Sequence, residues 1–254
     1  MSNSPPDQLT EDAFLGGRLR ILQPRTGYRA ATDPVLLAAA LDARAGQHVL
    51  DLGCGVGTAA LAALSRIAGL AATGVELQHE YATLARRNAE MNALALHVAT
   101  ADIRALPSAL VQRSFDHVLI NPPFYAAETA TAPQDEGRDT AHREGEATLA
   151  DFLDCGLRRL APGGSITVIH RTERLADILA GLSSRTGGIR IKPLAAREGR
   201  AAGRVLVSAR KGARAPLTLL APLVIHEGAA HGSDGASYSQ AVEAILRHGK
   251  SLIW

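Results

Sequence analysis

An α/β fold, in which a largely parallel sheet carries helices on both faces, is predicted by three observations. From Gln47 to Arg210 short apolar runs alternate with helix-patterned segments, the alternation that builds parallel sheets through crossover helices. Aromatic residues are only 4% of a chain that is 46% hydrophobic, so the interior is made of Ala, Leu, Val and Ile, as in helix-covered parallel sheets. A glycine-rich loop, Gly53 to Gly57, stands where the first apolar run gives way to a helix.

Taken in order, the 254 residues suffice for one well-filled core with modest extensions. Three parts are expected: an arm and covering segment over 1–45, a core over 46–212 and an extension over 213–254. Residues 1 to about 12 are polar, include Pro5-Pro6 and predict a loosely docked arm. Arg18 to Leu22 is a short apolar-patterned piece; then Thr32 or Asp33 can cap a helix that carries Pro34 in its first turn. The core begins with the strand 49–53, a helix from Ala59, the strand 72–77, a helix over His79–Asn92 and the strand 96–102. It resumes with the strand from Phe115, a polar stretch over 126–146 and a helix over 147–160 that the turn Pro162 to Gly164 ends. The strand 165–170, a helix near Glu173 to Leu182 and two strands, 189–196 and 204–210, complete the alternation. The tail adds the apolar run 217–227, a glycine-rich loop and a last helix from about Ser237.

A net charge of +2 and a pI near 8.7 permit contact with nucleic acid without demanding it. Cys54 and Cys155 make no disulfide framework and stand in no metal-ligand spacing, and the nine histidines form no paired-ligand pattern, so no metal is expected. The start has no basic segment followed by an apolar one, and no long uncharged apolar stretch occurs. A cytoplasmic monomer without membrane contact is the expectation.

The chemistry concentrates at strand ends. In Asp51-Leu52-Gly53-Cys54-Gly55-Val56-Gly57-Thr58, glycines allow backbone N–H groups to approach a ligand at a helix N-terminus; a plain tight turn is the alternative. The third glycine comes one place early for a dinucleotide loop, and the acid before it suits a ligand that carries positive charge. S-adenosylmethionine joins an ammonium and a sulfonium to a carboxylate and fits such a loop better than pyrophosphate does. Glu76 ends the second strand, where an acid can accept both ribose hydroxyls, with Leu77 next to it; Asp102, followed by Ile103, can accept an adenine amino group. Asn121-Pro122-Pro123-Phe124 then leaves the fourth strand in a stiff shape, since two prolines cannot continue a central strand. The Asn121 side-chain oxygen and the Pro122 carbonyl can each accept one hydrogen of a planar NH₂ group, and Phe124 can stack on its plane.

Asp51 to Gly57, Glu76, Asp102 and Asn121 to Phe124 together resemble the class I methyltransferases of the amino-group type, over about Gln47 to Arg210. The flanks, Gly27-Tyr28-Arg29 with Thr32 to Leu37 and Leu223 to Ile225 with Tyr238 to Ala241, resemble the bacterial valine-tRNA adenine-N6-methyltransferase family. Phe124 stands where many members carry Tyr. The resemblance implies a Rossmann-like three-layer αβα sandwich with a seven-stranded, mostly parallel sheet whose last strand is antiparallel. It implies S-adenosyl-L-methionine held by Asp51, Leu52, Gly53, Cys54, Gly55, Gly57, Glu76, Leu77, Asp102, Ile103 and Asn121, with Tyr28, Arg29, Thr32 and Asp33 covering it. Asn121, Pro122, Pro123 and Phe124 are the implied catalytic group, and N6-methyladenosine in a tRNA anticodon loop the implied product. The same motif serves enzymes acting on adenine in DNA, on guanine in RNA and on glutamine in release factors, and such a fold can also persist as a non-catalytic RNA-binding module. The residues leave these open.

One stretch bears on the partner. Arg185, Arg190, Lys192, Arg197, Arg200, Arg204, Arg210, Lys211 and Arg214 follow one another with Glu198 the only acid among them. A basic surface of this kind engages phosphates; a solvated face is the alternative.

Overall fold

The computed structural model describes residues 9–27, 29–123, 147–228 and 237–254. Strands β1 (Leu9–Phe14) and β2 (Leu19–Pro24) form an antiparallel hairpin, separate from the main sheet. The predicted loose arm does not extend to Leu9 to Asp12, which pair with Pro24 to Ile21. Polar Thr10 and Asp12 are partly buried in β1, where they bond Arg29 and Gln23, so the strand carries no alternating apolar signal.

The main sheet contains β3 (His48–Leu52), β4 (Ala71–Glu76), β5 (Leu96–Thr100), β6 (Phe115–Ile120), β7 (Leu160–Arg171), β8 (Thr186–Ala195) and β9 (Ala202–Lys211) in the order β8-β9-β7-β6-β3-β4-β5. The five strands from β7 to β5 run parallel; β9 is antiparallel to both neighbours. This is the seven-stranded core with an antiparallel last strand that the resemblance implies. Two further strands, β10 (Thr218–Leu219) and β11 (Leu223–Val224), pair with β8 at the edge and bring the sheet to nine.

Helices α1 (Asp33–Ala39), α2 (Thr58–Arg66) and α3 (His79–Met91) cover one face, and α4 (Ser108–Val111), α5 (Leu149–Arg159) and α6 (Leu175–Ser183) the other. Alternation along the central strands feeds both layers: Val49 and Leu119 pack on the first side, Leu50, Leu52, Val118 and Ile120 on the second. The predicted helix beginning at Ala147 starts at Leu149 because Thr148 and Asp151 close a reciprocal capping box. The last helix, α7 (Gln240–His248), packs on the turn of the hairpin and on α1.

The C-terminal segment is fastened by long-range contacts. The half-buried Arg66, at the end of α2, donates to the carbonyls of Ala38 and Gly249 and to Ser251 Oγ. Leu252 donates its N–H to Ala39, and the Trp254 indole donates to Ala40. Among the described residues no helix is long and apolar enough to cross a membrane.

Candidate functional site

Parallel strands that change direction of crossover leave a crevice at their carboxyl ends. Here β3 is that switch point, and a cavity of about 390 Å³ opens beyond β3, β4, β5 and β6. Gly53 and Gly55 come from β3, Glu76 and Leu77 from β4, Asp102 and Ile103 from β5, and Asn121 and Pro123 from β6. Four separate segments of sequence thus converge as the strand ends predict. Phe124 and Tyr28 lie outside the described residues.

Glu76 is nearly buried and its carboxylate is held by two backbone donors: Gly55 N–H at 2.9 Å and Gln78 N–H at 2.8 Å. A carboxylate has about four acceptor positions, so these bonds orient the group and leave acceptor capacity beside the cavity. Leu77 keeps 54% of its surface exposed, unusual for a large apolar side chain at a strand end, and lines the same space. Asp102 is bound through both oxygens by Arg104, whose Nη2 lies 2.6 Å away, and this partner holds the carboxyl below its ordinary range.

The glycine loop departs from one expectation. Four of its N–H groups are taken internally: Gly53 and Cys54 donate to the Val75 carbonyl, Gly55 to Glu76 and Gly57 to the Cys54 carbonyl. The glycines serve shape instead. Gly53 sits at φ 68°, and a Cβ there would stand 3.0 Å from the Phe152 ring; Gly57 sits at φ 87° with Leu96 equally close. Leu52 is fully buried in the core, and Gly57 packs α2 on the sheet; neither lines the cavity.

Asp51 and Cys54 line a small recess behind the loop, which Asn121 and Thr58 share. Asp51 accepts from the Ala60 N–H at 3.1 Å and is otherwise deeply buried; burial pushes its carboxyl up to about 7, and the nearby Glu76 adds to the rise. Thr58 Oγ1 is buried there without a hydrogen-bond partner among the described residues. A buried acid whose ionised form is disfavoured until a positive charge arrives, with an unpartnered hydroxyl beside it, forms a donor set suited to a cationic ligand. S-adenosylmethionine fits that requirement.

The expected covering residues take other positions. Arg29 donates to Thr10 Oγ1, to the Pro24 carbonyl and to Asp12 at 2.6 Å, so its guanidinium locks the hairpin. Asp33 pairs with Arg204 at 3.1 Å, and Thr32 supplies the first carbonyl of α1. None of the three lines the cavity. Conversely, Gln78, Tyr81, Ala147 and Phe152 do line it. Phe152 stands one residue past the Asp151 of the capping box, a place that α5 must present to the sheet, and that signal is readable in the sequence.

Comparison with known proteins follows the same lines. Over 152 residues the chain is 32% identical to the tRNA1(Val) (adenine(37)-N6)-methyltransferase of Yersinia enterocolitica; this match spans 59% of each protein, less than two thirds of the relative's length. Over 239 residues it is 29% identical to the protein of the same name from Dickeya chrysanthemi, with 89% of each covered. A solved structure described as a predicted O-methyltransferase from Agrobacterium tumefaciens superposes with a TM-score of 0.70 at 28% identity, over 87% of this chain and 98% of that one. The model of the methyltransferase small domain matches residues 31–184, a span that holds every residue lining the cavity. The chain belongs to the methyltransferase small domain family.

Proposed function

We propose that this chain is an S-adenosylmethionine-dependent N-methyltransferase that forms N6-methyladenosine in the anticodon loop of a tRNA. The observation that carries the reading is the meeting of Glu76, Asp102 and Asn121, each from a different strand, around one cavity beside the glycine loop. The names of the Yersinia and Dickeya relatives support the choice of substrate.

The cofactor supplies a methyl group activated by its sulfonium. Glu76 would accept the ribose hydroxyls on the positions that Gly55 and Gln78 leave open, Leu77 and Ile103 would cover the adenine ring, and Asp102 would accept from its amino group. Asn121 Oδ1 and the Pro122 carbonyl each accept one hydrogen of the substrate NH₂. Held this way, the nitrogen would be drawn toward tetrahedral geometry, which frees its lone pair to take up a methyl group. Transfer of the methyl group would leave that nitrogen acidic, and its proton would pass to solvent. No strong base is required of the protein.

The test is to incubate the enzyme and labelled S-adenosylmethionine with unmodified total tRNA, release factors and DNA. Label recovered from tRNA as N6-methyladenosine is expected. Label confined to release factors, to DNA or to a hydroxyl group would overturn the reading.

A further inference from the structure

The fold divides the basic run from Arg185 to Arg214. Arg185 pairs with Asp154 at 2.9 Å, Lys211 donates to the carbonyls of Leu157 and Leu160, and the buried Arg197 donates to those of Glu227 and Gly228. Two other members, Arg190 and Arg210, line a second cavity of about 580 Å³. It opens at the amino ends of β3, β6 and β7, the opposite end of the sheet from the crevice. His117, on its wall, precedes Asn121 by four residues, roughly 13 Å by strand rise.

Strand register explains the polar floor of this cavity. Val49, His117, Ser165 and Arg210 form one row across β3, β6, β7 and β9; Leu119, Thr167, Ser208 and Arg190 form the next row on the same face. In the row after that, Ile169 and Leu206 are fully buried and apolar, as a helix-covered face requires. Polar side chains therefore fill a contiguous patch where packing alone favours Val, Ile or Leu.

Each of them has a defined state. Gln47 Oε1 can only accept, and it takes the Arg44 N–H at 2.8 Å and His117 Nε2 at 3.0 Å. The imidazole is thus neutral, its Nδ1 accepts from the Ser165 hydroxyl at 2.7 Å, and burial holds its pKa below the ordinary value. The Ser208 side chain is buried, and its single hydrogen bond among the described residues is one accepted from Thr167 at 3.5 Å, so its own proton stays available. Arg210 uses one donor, Nε, on the Gly163 carbonyl, and Arg190 lays its face over the Trp254 ring. A guanidinium carries five donors, so both arginines keep several for a ligand. They are diagonal neighbours across the β8–β9 ladder, and Arg210 together with burial opposes the Arg190 charge, while Asp42 favours it. Asp42 and Arg44 are exposed in the connection from α1 to β3, and neither side chain has a hydrogen bond or ion pair among the described residues. Asp116, also on the wall, accepts the His48 N–H at 2.8 Å. Arginines and acids thus face one space without pairing with each other. A bare anion would meet the arginines but leave the acids opposed to it; a ligand that joins a phosphate to several hydroxyl donors satisfies both.

We propose that this cavity is a second ligand site, separate from the crevice at the carboxyl ends of the strands, and that it takes a sugar phosphate. The phosphate sits between Arg190 and Arg210 and accepts from the Ser208 hydroxyl, and the sugar hydroxyls donate to Asp42. The experiment is titration calorimetry of the full chain at constant ionic strength with ribose 5-phosphate, inorganic phosphate and ribose, each with and without saturating S-adenosylhomocysteine. Ribose 5-phosphate is expected to bind one to one and about tenfold more tightly than inorganic phosphate, with no binding of ribose and less than about a twofold effect of S-adenosylhomocysteine. R210Q should weaken both phosphate ligands about tenfold or more, S208A should weaken both about threefold, and D42N should weaken the sugar phosphate alone. S208A removes a single hydroxyl, so it keeps the test open if R210Q melts early. R185Q, off the cavity, should bind as wild type does. AMP, titrated with S-adenosylhomocysteine present, separates the sources: binding as tight as that of ribose 5-phosphate assigns the site to a nucleotide, and weaker binding assigns it to a free sugar phosphate. Absence of saturable ribose 5-phosphate binding up to about 10 mM, equal binding of ribose, or competition by S-adenosylhomocysteine would each overturn the proposal. So would R210Q and S208A variants that bind as wild type, a D42N variant unchanged toward the sugar phosphate, or an R185Q variant weakened as much as R210Q.

Discussion

The side-chain amide of Asn88 engages both backbone groups of Leu22: Oδ1 accepts from the Leu22 N–H at 2.8 Å, and Nδ2 donates to its carbonyl at 3.1 Å. One turn later, at the C-cap of α3, Asn92 does the same for Arg20, accepting at 2.9 Å and donating at 2.7 Å. Two amides spaced four residues apart on a helix thus replace a missing strand along the edge of β2. Asn88 Nδ2 also donates to the Val56 carbonyl at 3.0 Å, which ties the hairpin to the glycine loop. Asn88→Ala should therefore destabilise the protein by about 2 to 4 kcal/mol, since it leaves buried backbone groups unsatisfied. Asn92→Ala, nearer solvent, should cost about 1 kcal/mol. Urea unfolding measures both, and equal small losses would show that the amides do not hold the hairpin.

Glu76→Ala should weaken binding of S-adenosylhomocysteine about tenfold to a hundredfold by titration calorimetry, the equivalent of one or two charge-assisted hydrogen bonds. Since Gly55 and Gln78 orient the carboxylate, Glu76→Asp should also bind weakly although it keeps the charge. Affinity within twofold of wild type for both variants would remove Glu76 from the cofactor site.

Asn121→Ala should lower the rate of methyl transfer by about 10² to 10³ while cofactor affinity changes little, as expected for loss of one preorganised acceptor. Single-turnover kinetics with saturating tRNA isolates that step. Activity within threefold of wild type contradicts the role assigned to the side chain.

The buried carboxyl of Asp51, raised to about 7, makes stability depend on pH. Its folded-state value lies above that of an unfolded Asp, near 4, so the folded protein binds the extra proton between those limits. The resulting stability is complete below about pH 4 and lost as pH rises through 7. Asp51→Asn should thus raise the melting temperature of the ligand-free protein at pH 8 by at least about 2 °C, roughly 1 kcal/mol at this chain length, and do little at pH 4. A cationic cofactor favours the ionised form, so the same variant should bind S-adenosylmethionine more weakly. A melting temperature at pH 8 unchanged or lowered by the substitution would refute the assignment.

Much of this was legible in the sequence because it rests on local signals. The alternation from Gln47 to Arg210 and the stop at the two prolines give the strand ends, and Glu76, Asp102 and Asn121 fall on the cavity for that reason alone. What sequence could not supply depends on partners distant in the chain. Arg29 looks like a covering residue until β1 brings Thr10 and Asp12 to it, and β1 itself is masked because these polar side chains take its partly buried positions. The two-residue strands β10 and β11 exist only because β8 offers an open edge. The N–H groups of the glycine loop look free for a ligand until Val75 and Glu76 arrive from the neighbouring strand.

The clasp of Arg66 has a consequence for biosynthesis. Its guanidinium meets carbonyls contributed by residues 38 and 249, and the second partner is 183 positions later in the chain. A ribosome delivers α2 and the first strands long before Gly249 and Ser251 emerge. During that interval a cation destined for burial stays hydrated, and the surface of α1 and α2 that α7 and Trp254 will cover lies open. The nascent chain should accordingly dwell as a partly folded species until Gly249 to Trp254 have emerged, and that period is when it is most exposed to proteases and to association with its own copies.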